Sequence, residues 1–231
     1  MNLFYTTNIE GEYAYLSPEE ARHVVQVLRK REGDLLNFTD GKGGMYKGEI
    51  HEVGKKKCVL KIKKQEQEVG KRDFRLHIAI APTKNINRYE WFLEKATEIG
   101  IEEITPIFCA HSERTKVRID RLEKVLMSAM KQSLQAYLPK LNEPIKLAQF
   151  LKNQDDTQKF IAHCEEDFAK NQLVDRLERG QDVLLLIGPE GDFSVQEIAA
   201  AKEVGFVPVA LGNTRLRTET AGVFGVAVCA I

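Results

Sequence analysis

Hydrophobic positions along the chain follow two rhythms, and the change between them falls near residue 70. Before it, apolar stretches are short and separated by turn residues. Ser17-Pro18-Glu19-Glu20 combines an N-cap serine, a proline at the first helical position and a glutamate three residues after the cap. That order predicts a capping box opening a helix through about Leu28. Leu35-Leu36-Asn37-Phe38 leads into the turn cluster Asp40-Gly41-Lys42-Gly43-Gly44, and Met45 to Ile50 follows, which reads as a β-hairpin. Cys58 to Ile62 supplies another strand. One short helix among several short strands predicts a small β-barrel over residues 1–70, and the polar stretch Lys63 to Arg72 reads as an exposed connection.

Beyond it, apolar runs alternate with helical spacing. Leu76 to Ala81, Ile104 to Cys109, Phe160 to Cys164, Val183 to Ile187 and Val207 to Leu211 are strand candidates. Tyr89 to Ile99 has helical spacing, and Asp120 with Glu123 predicts a capping box opening a helix with Leu122, Val125, Leu126 and Ala129 on one face. Gln172 to Arg179 reads as a helix, Ser194 and Glu197 cap another to about Val204, and Thr218 onward predicts a last helix of small apolar residues. Uninterrupted apolar strands between helices predict an α/β domain over residues 71–231, with a parallel sheet covered on both faces.

Composition narrows the classes. A hydrophobic fraction of 43% and a charged fraction of 29% are ordinary globular values and exclude disordered and fibrous chains. No apolar run approaches the roughly 20 residues of a membrane span, and Met1 to Tyr5 lacks the basic and apolar regions of a secretory signal. Cys58, Cys109, Cys164 and Cys229 lie far apart without a CxxC pair, so they read as reduced thiols of a cytoplasmic protein, with no metal site. The formal net charge of zero runs against nucleic-acid binding, since dedicated binders are usually basic. Locally, Lys55, Lys56, Lys57, Lys61, Lys63, Lys64, Lys71 and Arg72 stand against only Glu66 and Glu68. That cluster suits phosphates and a lysine-guarded strand edge equally well.

Two loops carry candidate chemistry, because open parallel sheets bind ligands at the carboxyl ends of their strands. Ile187-Gly188-Pro189-Glu190-Gly191 follows a strand and precedes a capped helix. Its glycines permit close backbone approach and its proline stiffens it, so it can offer N–H and C=O groups to a ligand edge such as adenine. It lacks the GK[ST] of a phosphate loop, and a plain β-to-α turn explains it as well. Leu211-Gly212-Asn213-Thr214-Arg215-Leu216-Arg217-Thr218-Glu219 crowds polar residues between a strand and a helix. Two arginines beside a glycine turn favour an anionic or electron-rich partner over solvated loop charges. The small residues Ala221, Gly222, Gly225 and Ala227 then require another backbone to pass very close.

IGPEGDFSVQEI followed by LGNTRLRTETAGVFGVAV closely resembles the two C-terminal motifs of the ribosomal RNA small-subunit methyltransferase E family, a branch of the SPOUT methyltransferases. His23 to Arg29, Arg31-Glu32-Gly33-Asp34 and Asp40-Gly41 resemble its PUA-like N-terminal domain. Lys84, Lys95 to Gly100, Pro106, Ser112-Glu113-Arg114 and Gln132-Ser133 resemble its middle motifs, so the likeness covers nearly the whole chain. The chain departs from the pattern in three places: Met1 to Thr7 has no basic residue, Leu134-Gln135 stands for a glycine–arginine pair, and Lys84 to Arg88 lacks a glycine–aspartate.

The resemblance implies a trefoil-knotted α/β domain behind a PUA-like barrel, a homodimer, S-adenosyl-L-methionine (AdoMet) as methyl donor, and methylation of a uridine at N3 in 16S ribosomal RNA of the small subunit. The cofactor is then expected on Ile187, Gly188, Pro189, Glu190 and Gly191 and on Leu211, Gly212, Asn213, Leu216, Arg217 and Thr218. Arg217 is the candidate for stabilising charge on the uracil carbonyls, with Glu219 orienting it or taking the imide proton. RNA contacts are expected at Arg22, Arg29, Arg31, Lys55, Lys56, Lys57, Lys84 and Arg114. His23 reads first as structural, and Trp91 as core or dimer interface before base stacking. Two other readings stay open: an RNA-binding protein without catalysis, and a SPOUT enzyme acting on a ribose 2′-hydroxyl or another base.

Overall fold

The computed structural model describes residues 2–152, 158–165 and 171–230. The chain forms two compact units, 1–71 with 127–138, and 72–126 with 139–231. The first unit therefore also takes in Met127–Leu138, a stretch that the sequence boundary at residue 70 assigns to the second.

Six strands build the first unit among the described residues: β1 (Leu3–Tyr5), β2 (Ile9–Glu10), β3 (Tyr13–Tyr15), β4 (Leu35–Thr39), β5 (Met45–Gly54) and β6 (Lys57–Glu66). They lie in the order β1-β4-β5-β6-β3-β2, antiparallel except for β1 beside β4. Alternation along the strands turns Leu36, Phe38, Tyr46, Ile50 and Leu60 into a common core with Phe4, Ala14 and Val24. Phe38 faces Tyr46 across the β4–β5 pair, and their rings stack at 4.8 Å. β6 continues to Glu66, so the first residues of the predicted connection are strand, kept in the sheet by their pairing with β5.

Ser17 caps α1 (Pro18–Arg22), accepting from the Glu20 amide at 3.2 Å. The Glu20 carboxylate pairs instead with Lys131, so only half of the predicted capping box forms. A nearly buried carboxylate gains more from a cation than from one amide. The α-helix also ends earlier than Leu28, passing into a π-helical turn over His23–Val27.

The second unit is built on β7 (Leu76–Ile80), β8 (Glu103–Phe108), β9 (Lys140–Leu141), β10 (Ile145–Lys146), β11 (Gln158–Ala162), β12 (Asn171–Gln172), β13 (Val183–Ile187) and β14 (Val207–Ala210). Their order is β10-β8-β7-β13-β11-β14-β12, with β9 also on β8, and every pairing is parallel. β13 lies between β7 and β11 and is buried throughout, as its run Val-Leu-Leu-Leu-Ile requires. The helices are α2 (Ile86–Ile99), α3 (Ile119–Gln132), α4 (Leu147–Phe150), α5 (Leu173–Arg176), α6 (Val195–Glu203) and α7 (Thr218–Ala230). Leu184 and Leu186 pack with Phe150 of α4 and Ile198 and Ala201 of α6. On the opposite side of β13, Leu185 approaches Gly225 of α7, and α7 packs along α2.

Three local expectations change. The helix predicted over Gln172 to Arg179 shrinks to α5, because Leu177 returns to extended backbone. Asp120 lies inside the first turn of α3 and is held by Arg118 at 2.7 Å, so it does not cap that helix. Trp91 is 44% exposed, whereas Tyr89, Phe92, Leu93 and Ala96 form the buried face of α2. Ser194 and Glu197, by contrast, make both bonds of the predicted capping box.

At the amino end of the sheet, His77 of β7 lies beside Glu103 of β8, and its Nε2 is 2.7 Å from the Thr105 hydroxyl. Burial pushes the His77 imidazole down to about 4. Burial alone would raise Glu103, but bonds from Asn142, Lys140 and Arg75 outweigh it and bring the carboxyl to about 2.

Candidate active site

The carboxyl ends of three adjacent strands, β13, β11 and β14, open onto a cavity of about 740 Å³. That size falls within the range of small-molecule sites. Ile187, Gly188, Pro189 and Glu190 line it from the β13 loop, and Leu211 to Thr218 line it from the β14 loop. Ala162, Ala210 and Ala221 add small apolar surface.

The β13 loop is held from several directions. Asp192 closes its turn, with its amide donating to the Pro189 carbonyl at 2.9 Å. The Asp192 carboxylate accepts from the Phe193 amide at 2.8 Å and the Cys164 amide at 2.7 Å, tying the loop to the end of β11. The Glu190 carboxylate accepts from the Lys84 amide at 2.9 Å. His111 places Nδ1 at 3.0 Å from the Gly191 carbonyl and 3.1 Å from that of Asp192. Both partners are acceptors, so Nδ1 carries the proton. Glu197, already part of the α6 cap, also accepts from the Ala110 amide at 2.8 Å.

The second loop joins the first at the start of α7. Thr218 donates its hydroxyl to the Gly188 carbonyl at 3.1 Å. Gly212 has φ of +104°, a conformation that side chains rarely adopt, and the space a Cβ would fill is open. Its amide donates to the Gln172 side chain at 2.8 Å, anchoring the loop to β12.

The predicted cofactor residues therefore converge on one cavity, except Gly191, which lies beneath His111 outside the lining. The predicted catalytic pair separates. Arg217 is exposed and lines the cavity, whereas Glu219 is 7% exposed, does not line it, and faces Arg88 at 3.8 Å. One helical position beyond Thr218 rotates a side chain by about 100°, and of the two only Thr218 lines the cavity. Sequence reasoning missed His163 and Cys164, because nothing in the apolar run of β11 marks its end as a neighbour of β13, and it missed Asp192, one residue beyond the predicted β13 loop.

The predicted RNA contacts also divide. Arg114 spends its guanidinium on backbone, donating from Nε to the Thr83 carbonyl at 2.9 Å and from a terminal nitrogen to Lys84 at 2.6 Å. Lys84 pairs with Glu113 at 2.6 Å and Lys57 with Glu52 at 2.7 Å. Arg22, Arg29, Arg31, Lys55 and Lys56 are exposed, and no ion pair holds them among the described residues. The lysine-rich stretch is less basic in three dimensions than along the chain, because Lys63 meets Glu49 at 3.0 Å and Lys61 meets Glu12 at 3.7 Å.

Fold and cavity together define a parallel α/β protein that takes a small ligand between glycine-bearing loops at the carboxyl edge of its sheet. Comparison with known proteins gives that class a family. Residues 70–230 match the RNA methyltransferase domain family, and residues 16–63 match the RNA methyltransferase PUA domain family. A probable rRNA-methyltransferase from Porphyromonas gingivalis superposes with a TM-score of 0.90 at 41% identity, covering 98% of this chain and 95% of that one. The ribosomal RNA small subunit methyltransferase E of Neisseria gonorrhoeae, solved bound to S-adenosyl methionine, superposes at 0.84 with 26% identity over 98% and 95% of the two chains. The enzyme of that name from Buchnera aphidicola is 28% identical over 224 residues, 94% of this chain and 87% of the relative. The chain belongs to the RNA methyltransferase family, in its ribosomal RNA small subunit methyltransferase E branch.

Proposed function

We propose that this protein transfers the methyl group of AdoMet to N3 of a uridine in 16S ribosomal RNA of the small subunit. The observation that carries the reading is the cavity at the ends of β13, β11 and β14, with Arg217 on its wall and Thr218 joining its two loops. The residues present fit the donor. Alanines and Leu211 and Leu216 offer an apolar slot for adenine, and the loop backbones from Gly188 and Gly212 offer polar edges. The relative from N. gonorrhoeae binds S-adenosyl methionine and shares this fold.

AdoMet, when bound, supplies an electrophilic methyl group. The protein's part is to orient the uracil and stabilise the charge that spreads onto its two carbonyl oxygens as N3 loses its proton. Arg217, exposed on the cavity wall, takes that task in this reading. Glu219 serves it indirectly, by holding Arg88 near the start of α7. The first unit contributes RNA affinity through Arg22, Arg29, Arg31, Lys55 and Lys56, which no carboxylate neutralises among the described residues.

The protein acts as a homodimer in the cytoplasm in this reading. The exposed Trp91 of α2 and Phe224 of α7 support the dimer, since large apolar side chains on packed neighbouring helices favour a covered face. The trefoil knot is part of the same proposal, supported by the return of α7 to β7 and β13 after β14 has formed on the far side of β11.

Calorimetric titration with AdoMet, followed by mapping the methylated nucleotide in small-subunit RNA, tests the function. Saturable binding near one per subunit and a methyl group on a uridine N3 are expected. Absence of binding with the RNA present, or methyl transfer to a ribose hydroxyl, would overturn it.

A further inference from the structure

The proposed reaction needs a group that removes the imide proton, and the cavity narrows the choice. Glu219, the carboxylate nearest Arg217 in sequence, is buried against Arg88 and does not reach the lining. Asp192 does line the cavity, but each of its oxygens already accepts a backbone amide, from Phe193 and from Cys164. Its role is to hold the loop. His163 is 6% exposed, too enclosed for a nucleobase edge arriving from solvent to reach it first. Glu190 differs from all of these. It is exposed and lines the cavity, and the Lys84 amide holds one oxygen, Oε1, at 2.9 Å. The other oxygen, Oε2, makes no bond among the described residues.

We propose that Glu190 is the catalytic base of methyl transfer. The inference rests on the reading of this site as a uridine N3 methyltransferase. The imide N3–H proton passes to Glu190 Oε2, and the electron pair left on N3 forms the new nitrogen–carbon bond. The carbon–sulfur bond of the donor breaks with its electrons moving to sulfur, leaving a neutral thioether, and the carboxylic acid then returns its proton to solvent. The Lys84 amide fixes the carboxylate without neutralising it, as a base requires. The charged groups around Glu190 suit the role. The Lys84 ammonium pairs with Glu113 and feels the Glu190 charge only through space, and the Arg114 guanidinium bonds the carbonyls of Thr83 and Lys84, so neither makes an ion pair with Glu190. Arg217, on the facing loop, is left for the uracil carbonyls.

Glu190→Gln makes the test selective, because an amide oxygen can still accept from Lys84 and keep the loop in place. Titrations with AdoMet and with a small-subunit RNA fragment, each alone, are expected to give affinities within about threefold of the parent protein. The single-turnover methylation rate should fall by about 10²–10⁴-fold. It should then climb tenfold per pH unit, as hydroxide takes over from the lost base. Glu219→Gln, at a carboxylate outside the cavity that acts only through Arg88, should lower the rate without changing the shape of its pH profile. A Glu190→Gln rate within threefold of the parent, with the parent's pH profile, would overturn the assignment. So would a loss of AdoMet affinity large enough to account for the slower rate, which would make Glu190 a cofactor ligand. If the parent protein methylates uridine N3 and the variant does so equally well, the Glu190 assignment alone falls. If the parent protein moves no methyl group to N3, the reading of the target falls and takes this inference with it.

Discussion

Replacing Gly222 with alanine tests whether close packing of α7 builds the site. Intrinsic propensity favours the change, since alanine in a helix interior is about 1 kcal/mol better than glycine. Packing opposes it. A Cβ at position 222 would stand 2.5 and 2.7 Å from two ring carbons of Phe92 and 2.9 Å from Cδ1 of Ile80. Phe92 and Ile80 are fully buried, so the ring cannot swing into solvent. Overpacking of this kind typically costs about 1–3 kcal/mol, which leaves a net loss of up to roughly 2 kcal/mol after the helical gain. Gly225→Ala is the internal comparison, because its nearest neighbour is the far end of Leu185 at 2.6 Å and the next atom is at 3.7 Å. A terminal methyl yields more easily than a ring, so that variant should lie near neutrality. Urea unfolding followed by the fluorescence of Trp91, the chain's single tryptophan, reports on α2 directly. Combining Gly222→Ala with Phe92→Leu should recover at least part of the loss, as contacting residues couple by about 0.5–3 kcal/mol. A Gly222→Ala midpoint above the parent's at an unchanged denaturant slope would refute the reasoning, because only propensity would then be acting. Since Thr218 opens the same helix and bonds Gly188, the destabilised variant should also bind AdoMet more weakly.

Arg217→Ala should lower the methylation rate at saturating substrates by about 10²–10³-fold; wild-type turnover would remove Arg217 from the chemistry. Arg114→Lys keeps the charge but loses the fork that holds the Thr83 and Lys84 carbonyls, so it should cost about as much stability as Arg114→Ala, on the order of 1 kcal/mol; a lysine variant with parental stability and RNA affinity would make Arg114 a phosphate contact. His77 binds its proton at about 4 when folded and near 6.5 when exposed, so the unfolded chain holds more protons between those values. Stability should therefore fall as pH drops from about 6.5 to 4, by on the order of 3 kcal/mol. His77→Gln should flatten that window in urea midpoints taken across pH, leaving the lower acid arm of Glu103, and an unchanged slope would show that another group sets it.

Elements whose evidence lies within a few residues were legible in the sequence. Val183–Ile187 coincides with the predicted strand, and the bond pair of Ser194 and Glu197 is a local signature that needs no tertiary partner. Ser17 carries the same signature, yet its glutamate is drawn away by Lys131, more than a hundred residues further along the chain. Asp120 likewise has the sequence of a cap, but Arg118 is two residues away and takes its carboxylate. The helix expected after Gln172 shrinks to α5, because β12 pairs with β14 before it and Leu177 returns to extended backbone after it. The same division runs through the site. Glycine-bearing loops at strand ends announce themselves, so most residues predicted for the cofactor meet at one cavity. Which of two carboxylates faces that cavity depends on helix phase and on the order of strands: Glu190 lines it, and Glu219, expected there from its place after Gly212, does not.

The neutral net charge and an RNA substrate are reconciled by the same three-dimensional accounting. Counted along the chain, residues 55–72 are strongly basic, but the antiparallel neighbours bring Glu49, Glu52 and Glu12 onto Lys63, Lys57 and Lys61. Exposed pairs of this sort contribute little to stability, yet each lowers the field that a phosphate would meet. Cations that no ion pair holds among the described residues include Arg22, Arg29 and Arg31 around the π-helical turn, Lys55 and Lys56 on the tip of the β5–β6 hairpin, and Lys42 and Lys47. A phosphate would meet a stronger field at such unpaired cations than at the neutralised lysines of the β5–β6 pair. A net charge of zero therefore does not count against an RNA substrate, because the local field at unpaired cations, rather than the total, sets what a phosphate meets.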